Sequence, residues 1–291
     1  MTIGGGIEEI ERRRGSTVLV IAATNLEIEL LPPLYDTLRE IGRSERLDVV
    51  FSCRGGVVHA ARRIALLLHD FTDHLSFIVP HHCESSGTIT VLAAHEIIAG
   101  PVAVFSPIDP LLQTSPTASD EGGPLGISAQ DVRLFSQMSK DWFGLEEDEA
   151  RQKALSVLCD NIFPTTLTSF YRSILEIQLI GAELLSLHMP PGSEAQASKI
   201  VDQLLFGHHS HGFALTRGDL VALGLPLRGD PAIEDLAWEI ARELRGSVGG
   251  GARQAAEDDW FDALIATRTG SRRRRRSPGT PGSRWEAGEI E

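Results

Sequence analysis

The residue whose position in this chain most suggests chemistry is Ser85. An apolar run at 75–79 ends in polar residues, and Ser85-Ser86-Gly87 then opens a helical segment at 88–94. A serine at a strand-to-helix turn holds its hydroxyl at the positive end of a helix, on a bend that exposes it, which favours a nucleophile. Serine is also a preferred helix N-cap, so a purely structural role stays open at this point.

A second candidate is the glycine pair Gly55-Gly56, which follows the apolar run 47–51 and precedes a helical segment at 57–68. Glycine lets the backbone turn sharply and leaves its N–H groups unshielded. Enzymes that transfer acyl groups need two such donors aimed at the developing oxyanion. The chain between Gly56 and Ser85 is long enough for a helix and a returning strand. The glycines and the serine are therefore expected at one edge of neighbouring parallel strands.

The order of these blocks resembles the serine dehydrogenase proteinase (SDH) family, which are Clp-fold serine peptidases related to signal peptide peptidase A. The matching blocks are a strand followed by GG, then H-x-x-x-S-x-G-T, A-A-x-E-I and S-P-I-D-P. The resemblance runs over about residues 15–227 and is densest over 53–111. The chain departs from the family pattern at Arg54, where a proline usually precedes the glycines, and at Ser86, where a glycine usually follows the nucleophile.

This resemblance implies an α/β Clp/crotonase-like fold, a spiral of mostly parallel strands and helices with a helical C-terminal half. It implies that Ser85 attacks a peptide bond and that Gly55 and Gly56, together with the N–H of Ser86, hold the oxyanion. A peptide or protein substrate follows from this reading. A homo-oligomer is expected from the family and from the apolar content of the helical half.

A serine hydroxyl needs a neighbouring base, and one candidate is Lys140. Signal peptide peptidase relatives use a lysine, and Lys140 lies roughly where such a base would come. It follows the segment 113–127, which is rich in Ser, Thr, Pro and Gly and predicts a loop. That loop is either a flap over the site or an ordinary surface loop. Lys140 itself is either the base or an exposed residue of the helix that follows the loop.

A histidine is the other candidate base. Clp proteases use a His oriented by an Asp, and Asp109 falls where those proteases place their His. His211, with His208 as a substitute, lies in the block that would carry the third member. If the chain positions of the His and the Asp of the Clp triad are exchanged in this protein, the triad consists of Ser85, His211 and Asp109. Triads are defined by geometry rather than chain order, so this exchange is chemically permissible.

Composition limits the class of protein. The chain has 291 residues, 42% hydrophobic and 23% charged, which suits one large globular domain with tails. A net charge of −13 argues against a nucleic-acid partner. The three cysteines form no metal-binding spacing, and no nicotinamide fingerprint is present, so neither metal nor cofactor is expected. No apolar run reaches the roughly 18 residues of a membrane span, and a cytoplasmic protein without membrane contact is predicted.

The pattern along the chain predicts three regions: an N-terminal helix (1–14), a peptidase domain (15–245) and a largely disordered tail (246–291). Within the domain, apolar runs predict strands that alternate with helices, and hence a largely parallel sheet, at 18–23, 47–51, 75–79 and 102–105. From Ser128 onward the pattern predicts consecutive helices at 129–143, 146–161, 165–188 and 193–206.

Two features stand out in the predicted tail. Arg272 to Arg276 form a basic run, typical of a solvated segment. Residues 258–266 form a short amphipathic segment, either an end-cap helix or a site that docks on another subunit or a protein partner.

The preferred function is a cytoplasmic serine endopeptidase of the Clp-fold type. One alternative is a catalytically inactive oligomeric scaffold of the same fold that acts through partner binding, which Arg54 and Ser86 favour. Another is a crotonase-like acyl-CoA enzyme, for which Glu84 is the nearby candidate acid.

Overall fold

The computed structural model describes residues 2–112, 127–144, 148–248, 261–275 and 284–290. Its strands are β1 (Thr17–Ala23), β2 (Ser44–Cys53), β3 (Thr72–Val79), β4 (His82–Cys83), β5 (Glu96–Ala99), β6 (Val104–Phe105), β7 (Leu111–Leu112), β8 (Ile127–Ser128), β9 (Leu227–Arg228), β10 (Ala263–Thr267), β11 (Gly270–Arg275) and β12 (Arg284–Gly288). Its helices are α1 (Ile3–Arg14), α2 (Leu31–Ile41), α3 (Val58–Asp70), α4 (Ser86–Val91), α5 (Ala129–Phe143), α6 (Asp148–Asn161), α7 (Pro164–Ser186), α8 (Glu194–Phe206), α9 (Arg217–Leu223) and α10 (Pro231–Ser247).

A central sheet in the order β12-β11-β10-β1-β2-β3-β5-β9 organises the molecule. Five neighbouring strands of this sheet, β1, β2, β3, β5 and β9, run parallel to one another. Val20 lies opposite Val50, and Phe77 lies opposite Ile97. The strand β1 is buried on both faces because helices cover each side of the sheet. The mixed α/β architecture predicted from the alternating runs is therefore confirmed.

Two apolar clusters, one on each face of the sheet, hold these layers together. One face packs against α2, α3, α7 and α8, and the other packs against α1 and α10. The second face also carries polar residues in register across three strands, because Asp48 lies opposite Ser76, which lies opposite Glu96. Within the described ranges, no helix combines the length and apolar character needed to cross a bilayer.

The local predictions differ from the structure around residue 100. The predicted strand at 102–105 is only Val104–Phe105, and it pairs with the short β4 rather than extending the main sheet. The next main strand is instead Glu96–Ala99, which pairs with β3. The predicted loop 113–127 lies, apart from its last residue, outside the described residues.

Beyond residue 245 the structure differs from the expectation of a largely disordered tail. β10 pairs antiparallel with β1, every residue of β10 is buried, and β11 and β12 extend the sheet further. The described part of the 258–266 segment is thus a strand that docks on its own chain. The apolar run 263–266 covers what would otherwise be an open edge at β1, which gives the physical reason for its order.

The basic run also behaves differently from a solvated segment. Arg274 is only 1% exposed, and its guanidinium donates to Asp262 and to Glu27, each at 2.8 Å. Arg272 pairs with Glu40. Composition alone cannot show this, because two of the carboxylates that pair with these arginines, Glu27 and Glu40, come from distant parts of the chain.

Candidate active site

Ser85 occupies a strained bend between β4 and α4. Its φ of 51° and ψ of −113° make it the one non-glycine residue with positive φ among those described. Its hydroxyl caps no backbone N–H of α4, so the N-cap interpretation does not apply. The Ser85 N–H donates to Ser106 Oγ at 2.7 Å, and Thr88 Oγ1 donates to the Cys83 carbonyl at 2.9 Å. These contacts stabilise a backbone conformation that costs roughly 1–3 kcal/mol and is typical of exposed nucleophiles.

The glycine pair packs directly against this bend. Gly55 and Gly56 have φ values of 132° and 130°, which side-chain-bearing residues rarely adopt. A Cβ on Gly56 would lie 2.3 Å from the Leu26 nitrogen, and one on Gly55 would lie 3.3 Å from Ser85 Cβ. The loop is held by the Leu26 backbone, whose N–H donates to the Gly55 carbonyl and whose carbonyl accepts from Val57, each at 2.8 Å.

Of the three N–H groups predicted to hold the oxyanion, one is already hydrogen-bonded within the protein and two are not. The Gly55 N–H donates to Cys53 Sγ at 3.3 Å and so is already engaged. The Gly56 carbonyl accepts from Ser86 Oγ at 2.7 Å, and in its parallel pairing with Leu26 the Gly56 N–H faces away from Leu26. Within the described chain this N–H meets no acceptor. The Ser86 N–H begins α4 and has no intrahelical partner, so Gly56 and Ser86 are the two donors best placed to hold an anion.

His211 and Asp109 are brought together as the exchanged roles require. His211 Nδ1 lies 2.9 Å from Asp109 Oδ1, with Asp109 5% exposed and the His211 side chain 21% exposed. When the Nδ1–H donates to Asp109, Nε2 is left as a proton acceptor. The second oxygen of Asp109, Oδ2, is buried and has no hydrogen-bond partner among the described residues.

A short antiparallel pairing positions these two residues. Phe105, at the end of β6, exchanges both backbone hydrogen bonds with Leu215, at 2.9 and 2.8 Å. The chain after Phe105 leads to Asp109, and the chain before Leu215 contains His211. The pairing therefore carries both side chains to one open cavity of about 660 Å³. The predicted site residues that line it are Gly55, Gly56, Ser85, Ser86, Asp109 and His211.

The remaining candidates do not line this cavity. Lys140 is exposed on α5. The His208 ring stacks on Phe213 at 4.6 Å between centroids, and its carbonyl accepts from Gln130. Glu84 accepts from His82 at 2.6 Å, and this hydrogen bond lowers the Glu84 pKa. In the part of the chain that is described, no three or more His, Cys, Asp or Glu side chains are arranged to hold a metal ion.

Burial also argues against a cysteine nucleophile. Cys83, close to Ser85 in the chain, is fully buried, and burial raises the pKa of its thiol well above the ordinary value. A thiol acts as a nucleophile in its thiolate form, which such burial disfavours. Ser85 is the better-placed nucleophile in this region.

Sequence reasoning missed three residues that support the site. Leu26 holds the glycine loop, Ser106 holds the Ser85 amide, and Arg274 holds Glu27, which lines the same cavity. Ser106 lies within the S-P-I-D-P block, and its spacing from Ser85 could have been noticed. Nothing in the sequence signals Leu26 or Arg274, because their contacts are made across the sheet.

Comparison with known proteins supports the sequence resemblance over part of the chain. Residues 6–121 match the family model of ClpP-like SDH-type serine proteinases. Two uncharacterized proteins of Methanocaldococcus jannaschii are similar to this chain. One is 34% identical over 126 residues, which cover 39% of this chain and 43% of the relative. The other is 31% identical over 126 residues, which cover 39% and 44%.

Among solved structures, an alanine mutant of the 1510-N membrane-bound stomatin-specific protease aligns with a TM-score of 0.41 and 13% sequence identity. That alignment covers 79% of this chain and 86% of the other. The chain matches less than half the length of the two curated relatives. The resemblance read from the sequence is confirmed: through residues 6–121, this chain matches the ClpP-like SDH-type serine proteinases.

Proposed function

We propose that this protein is a serine endopeptidase that cleaves peptide bonds through an acyl-enzyme on Ser85. His211 serves as general base and Asp109 orients it. The observation that carries the proposal is the hydrogen bond of 2.9 Å between His211 Nδ1 and Asp109 Oδ1, made at a cavity that Ser85 also lines. This assignment prefers His211 over Lys140, which lies outside the cavity lining.

The reaction follows the acyl-transfer sequence. His211 Nε2 accepts the Ser85 hydroxyl proton as Oγ attacks the substrate carbonyl carbon. The negative charge that develops on the carbonyl oxygen is held by the N–H groups of Gly56 and Ser86. The protonated His211 then donates to the departing amine, and a water molecule hydrolyses the ester in a second cycle. The substrate class is a peptide or an unfolded protein segment, and the cavity of about 660 Å³ can receive a few side chains.

We also propose that the protein forms a homo-oligomer. Large apolar side chains are exposed on the helical half and at its turns, where they would be covered by another copy: Trp142, Phe143, Phe163, Tyr171 and Leu179. Light scattering that finds a monomer at micromolar concentration would contradict this part of the proposal.

A catalytically inactive scaffold is the second candidate, and one observation favours it. The Gly55 N–H donates to Cys53 Sγ, so one of the two glycine amides expected at the oxyanion is occupied. A scaffold of this fold would act through partner binding and would not need an oxyanion hole.

Active-site labelling separates the two functions. The full-length protein is treated with a fluorophosphonate, which phosphonylates an activated serine hydroxyl. We expect labelling of the wild type that is lost in Ser85→Ala and strongly reduced in His211→Gln. Ser173→Ala is the matched control, because Ser173 lines the same cavity from α7 and should leave labelling unchanged. A folded wild-type protein that takes no label at Ser85 would instead support the scaffold.

A further inference from the structure

The Gly55-Gly56 loop is a flexible sequence at a place where the proposed chemistry needs a rigid one. The two glycines have φ values of 132° and 130°. Glycine loses more conformational freedom on folding than any other residue, so two in succession keep one shape only if their peptide groups are held by other contacts. An N–H group stabilises an oxyanion most when it already points to the place where the charge develops. The contacts that orient the Gly56 N–H therefore bear on the reaction at Ser85.

The peptide unit between Gly55 and Gly56 is held through its carbonyl. The Gly55 carbonyl accepts from the Leu26 N–H at 2.8 Å and from the Cys53 thiol at 3.1 Å. In a trans peptide unit the C=O and the N–H point in opposite directions. Because this C=O is directed to Leu26 and Cys53, the Gly56 N–H of the same unit is directed away from both of them.

The next peptide unit, between Gly56 and Val57, is held from both sides. Its N–H donates to the Leu26 carbonyl at 2.8 Å, and its carbonyl accepts from Ser86 Oγ at 2.7 Å. Ser86 is fully buried and is the first residue of α4, where its own N–H is the second candidate oxyanion donor. The Ser86 side chain therefore ties the residue that supplies one donor to the residue that supplies the other.

We propose that the Ser86 hydroxyl is a positioning group for the reaction at Ser85, because it holds the Gly56 and Ser86 N–H groups at a fixed spacing. This inference deepens the proposed peptidase function and rests on it for its chemistry. Among the described residues, the bond from Ser86 Oγ is the hydrogen bond that joins residues 54–57 to α4. A glycine at position 86 would supply the same N–H but no hydroxyl, so this departure from the family pattern adds a restraint to the site.

Labelling kinetics of the full-length protein test this role, because Ser86→Ala removes the hydroxyl and keeps the backbone N–H. At saturating fluorophosphonate we expect the labelling rate to fall by about tenfold, less than the roughly 10²–10³-fold loss caused by removing an oxyanion donor. The concentration that gives half the maximal rate should not change. The pH at which the rate is half-maximal should not change either, because His211 is unaltered. Ser86→Gly, which also lacks the hydroxyl, should behave in the same way.

Ser139→Ala is the matched control for this substitution. Ser139 is also buried, and its hydroxyl also donates to a backbone carbonyl, that of Phe135 at 2.8 Å. It lies on α5 and does not line the cavity, so Ser139→Ala should keep the wild-type labelling rate. Thermal unfolding of both variants checks that each is folded when it is labelled.

Hydrogen exchange of the glycine loop gives a readout that needs no reactive serine. The Gly55 and Val57 N–H groups donate to Cys53 Sγ and to the Leu26 carbonyl. In Ser86→Ala we expect both amides to exchange about fivefold faster or more than in the wild type, because the loop opens locally more often. In Ser139→Ala their exchange should match that of the wild type.

Two results would overturn the proposal. One is a labelling rate in Ser86→Ala that equals the rate in Ser139→Ala. The other is exchange of the Gly55 and Val57 amides that Ser86→Ala leaves unchanged. A folded wild type that takes no label at Ser85 would remove the peptidase function, and the exchange comparison alone would then decide whether Ser86 holds the loop.

Discussion

Buried carboxylates at the two ends of the parallel sheet differ in how completely they are hydrogen-bonded. Near the amino ends, on the α1 and α10 face, Arg14 donates to Asp48 and to Glu96, each at 2.5 Å, and Ser16 donates to Asp48 at 2.7 Å. Beyond the carboxyl ends, Asp109 is also buried, yet its Oδ2 has no hydrogen-bond partner within the described residues, and Ser85 nearby adopts a strained backbone.

We interpret the paired carboxylates at the amino ends as stabilising the fold, and the unpaired oxygen at the carboxyl ends as part of the candidate active site. At the amino ends, burial alone would raise the pKa of Glu96, but the hydrogen bond and charge of Arg14 outweigh it, and the pKa is lowered. The carboxylates of Asp48 and Glu96 are thus both paired with arginines, although Ser44 Oγ, Arg46 Nε and His74 Nε2 at the same end have no hydrogen-bond partner among the described residues. The candidate active site keeps hydrogen-bonding capacity unused, at Asp109 Oδ2 and at the Gly56 N–H. We therefore expect substitutions at the amino ends to change folding, and substitutions at the carboxyl ends to change activity.

The largest expected effect is on activity, from Asp109→Asn. Asparagine preserves the shape but cannot hold His211 in the tautomer that leaves Nε2 free. We expect the rate of fluorophosphonate labelling to fall by about 10⁴-fold, with a small change in the free energy of unfolding. Asp219→Asn, on exposed α9, is the control and should label normally. A labelling rate that is unchanged in Asp109→Asn would remove Asp109 from the site.

The next effect is on stability, from Asp48→Asn. Asp48 is fully buried against Arg14, so the substitution removes one of the two carboxylate charges that hold this buried guanidinium, and Glu96 alone remains. We expect the free energy of unfolding to fall by about 3–5 kcal/mol in urea titrations, with labelling intact in the folded protein. Asp73→Asn is the matched control, because its pair with Arg43 is exposed and should contribute under about 1 kcal/mol. Equal losses from the two variants would contradict the contrast between the ends.

A smaller effect concerns pH and His95, which lies at the start of β5 among His69, His74 and His188. Burial, then the neighbouring histidines, lowers the pKa of His95 to about 4. The unfolded chain titrates near pH 6.5, so between about pH 6.5 and 4 it binds more protons than the folded chain. The free energy of unfolding therefore decreases as pH falls through this window.

The variant His95→Gln should reduce that decrease by about 1 kcal/mol, after allowance for solvent screening. The measurement is the difference between the wild type and the variant at each pH, because the Glu96 network also weakens in acid. His59→Gln is the control, since His59 is exposed and pairs with Glu176. Parallel pH profiles for the wild type and His95→Gln would show that His95 does not contribute.

An effect of similar size comes from the strain at Ser85. Glycine adopts φ near 51° without a steric penalty, whereas alanine does not. Both Ser85→Gly and Ser85→Ala should lose labelling, but the glycine variant should be more stable than the alanine variant by about 1 kcal/mol. Thermal and urea unfolding of the two variants measure this difference. A more stable alanine variant would show that the bend is relaxed.

Much of the fold and part of the candidate site could be predicted from the sequence. Apolar runs at 18–23, 47–51 and 75–79 determine strands, because burial on both faces of a sheet requires continuous apolar residues. Gly55-Gly56 and Ser85 were recognisable because tight turns restrict the residues that can occupy them. Apolar runs and tight turns are local properties, because each depends on residues only a few positions apart in the sequence.

Only the tertiary structure decided which distant groups meet. The pairing of Phe105 with Leu215 carries His211 to Asp109, and nothing near Lys140 or His208 in the sequence shows that they lie elsewhere. The same holds for the C-terminal strands, where Arg274 reaches Glu27 across the sheet. Periodicity in a sequence reports which face of an element is buried, whereas the partners of a buried charge depend on how elements separated by many residues pack together.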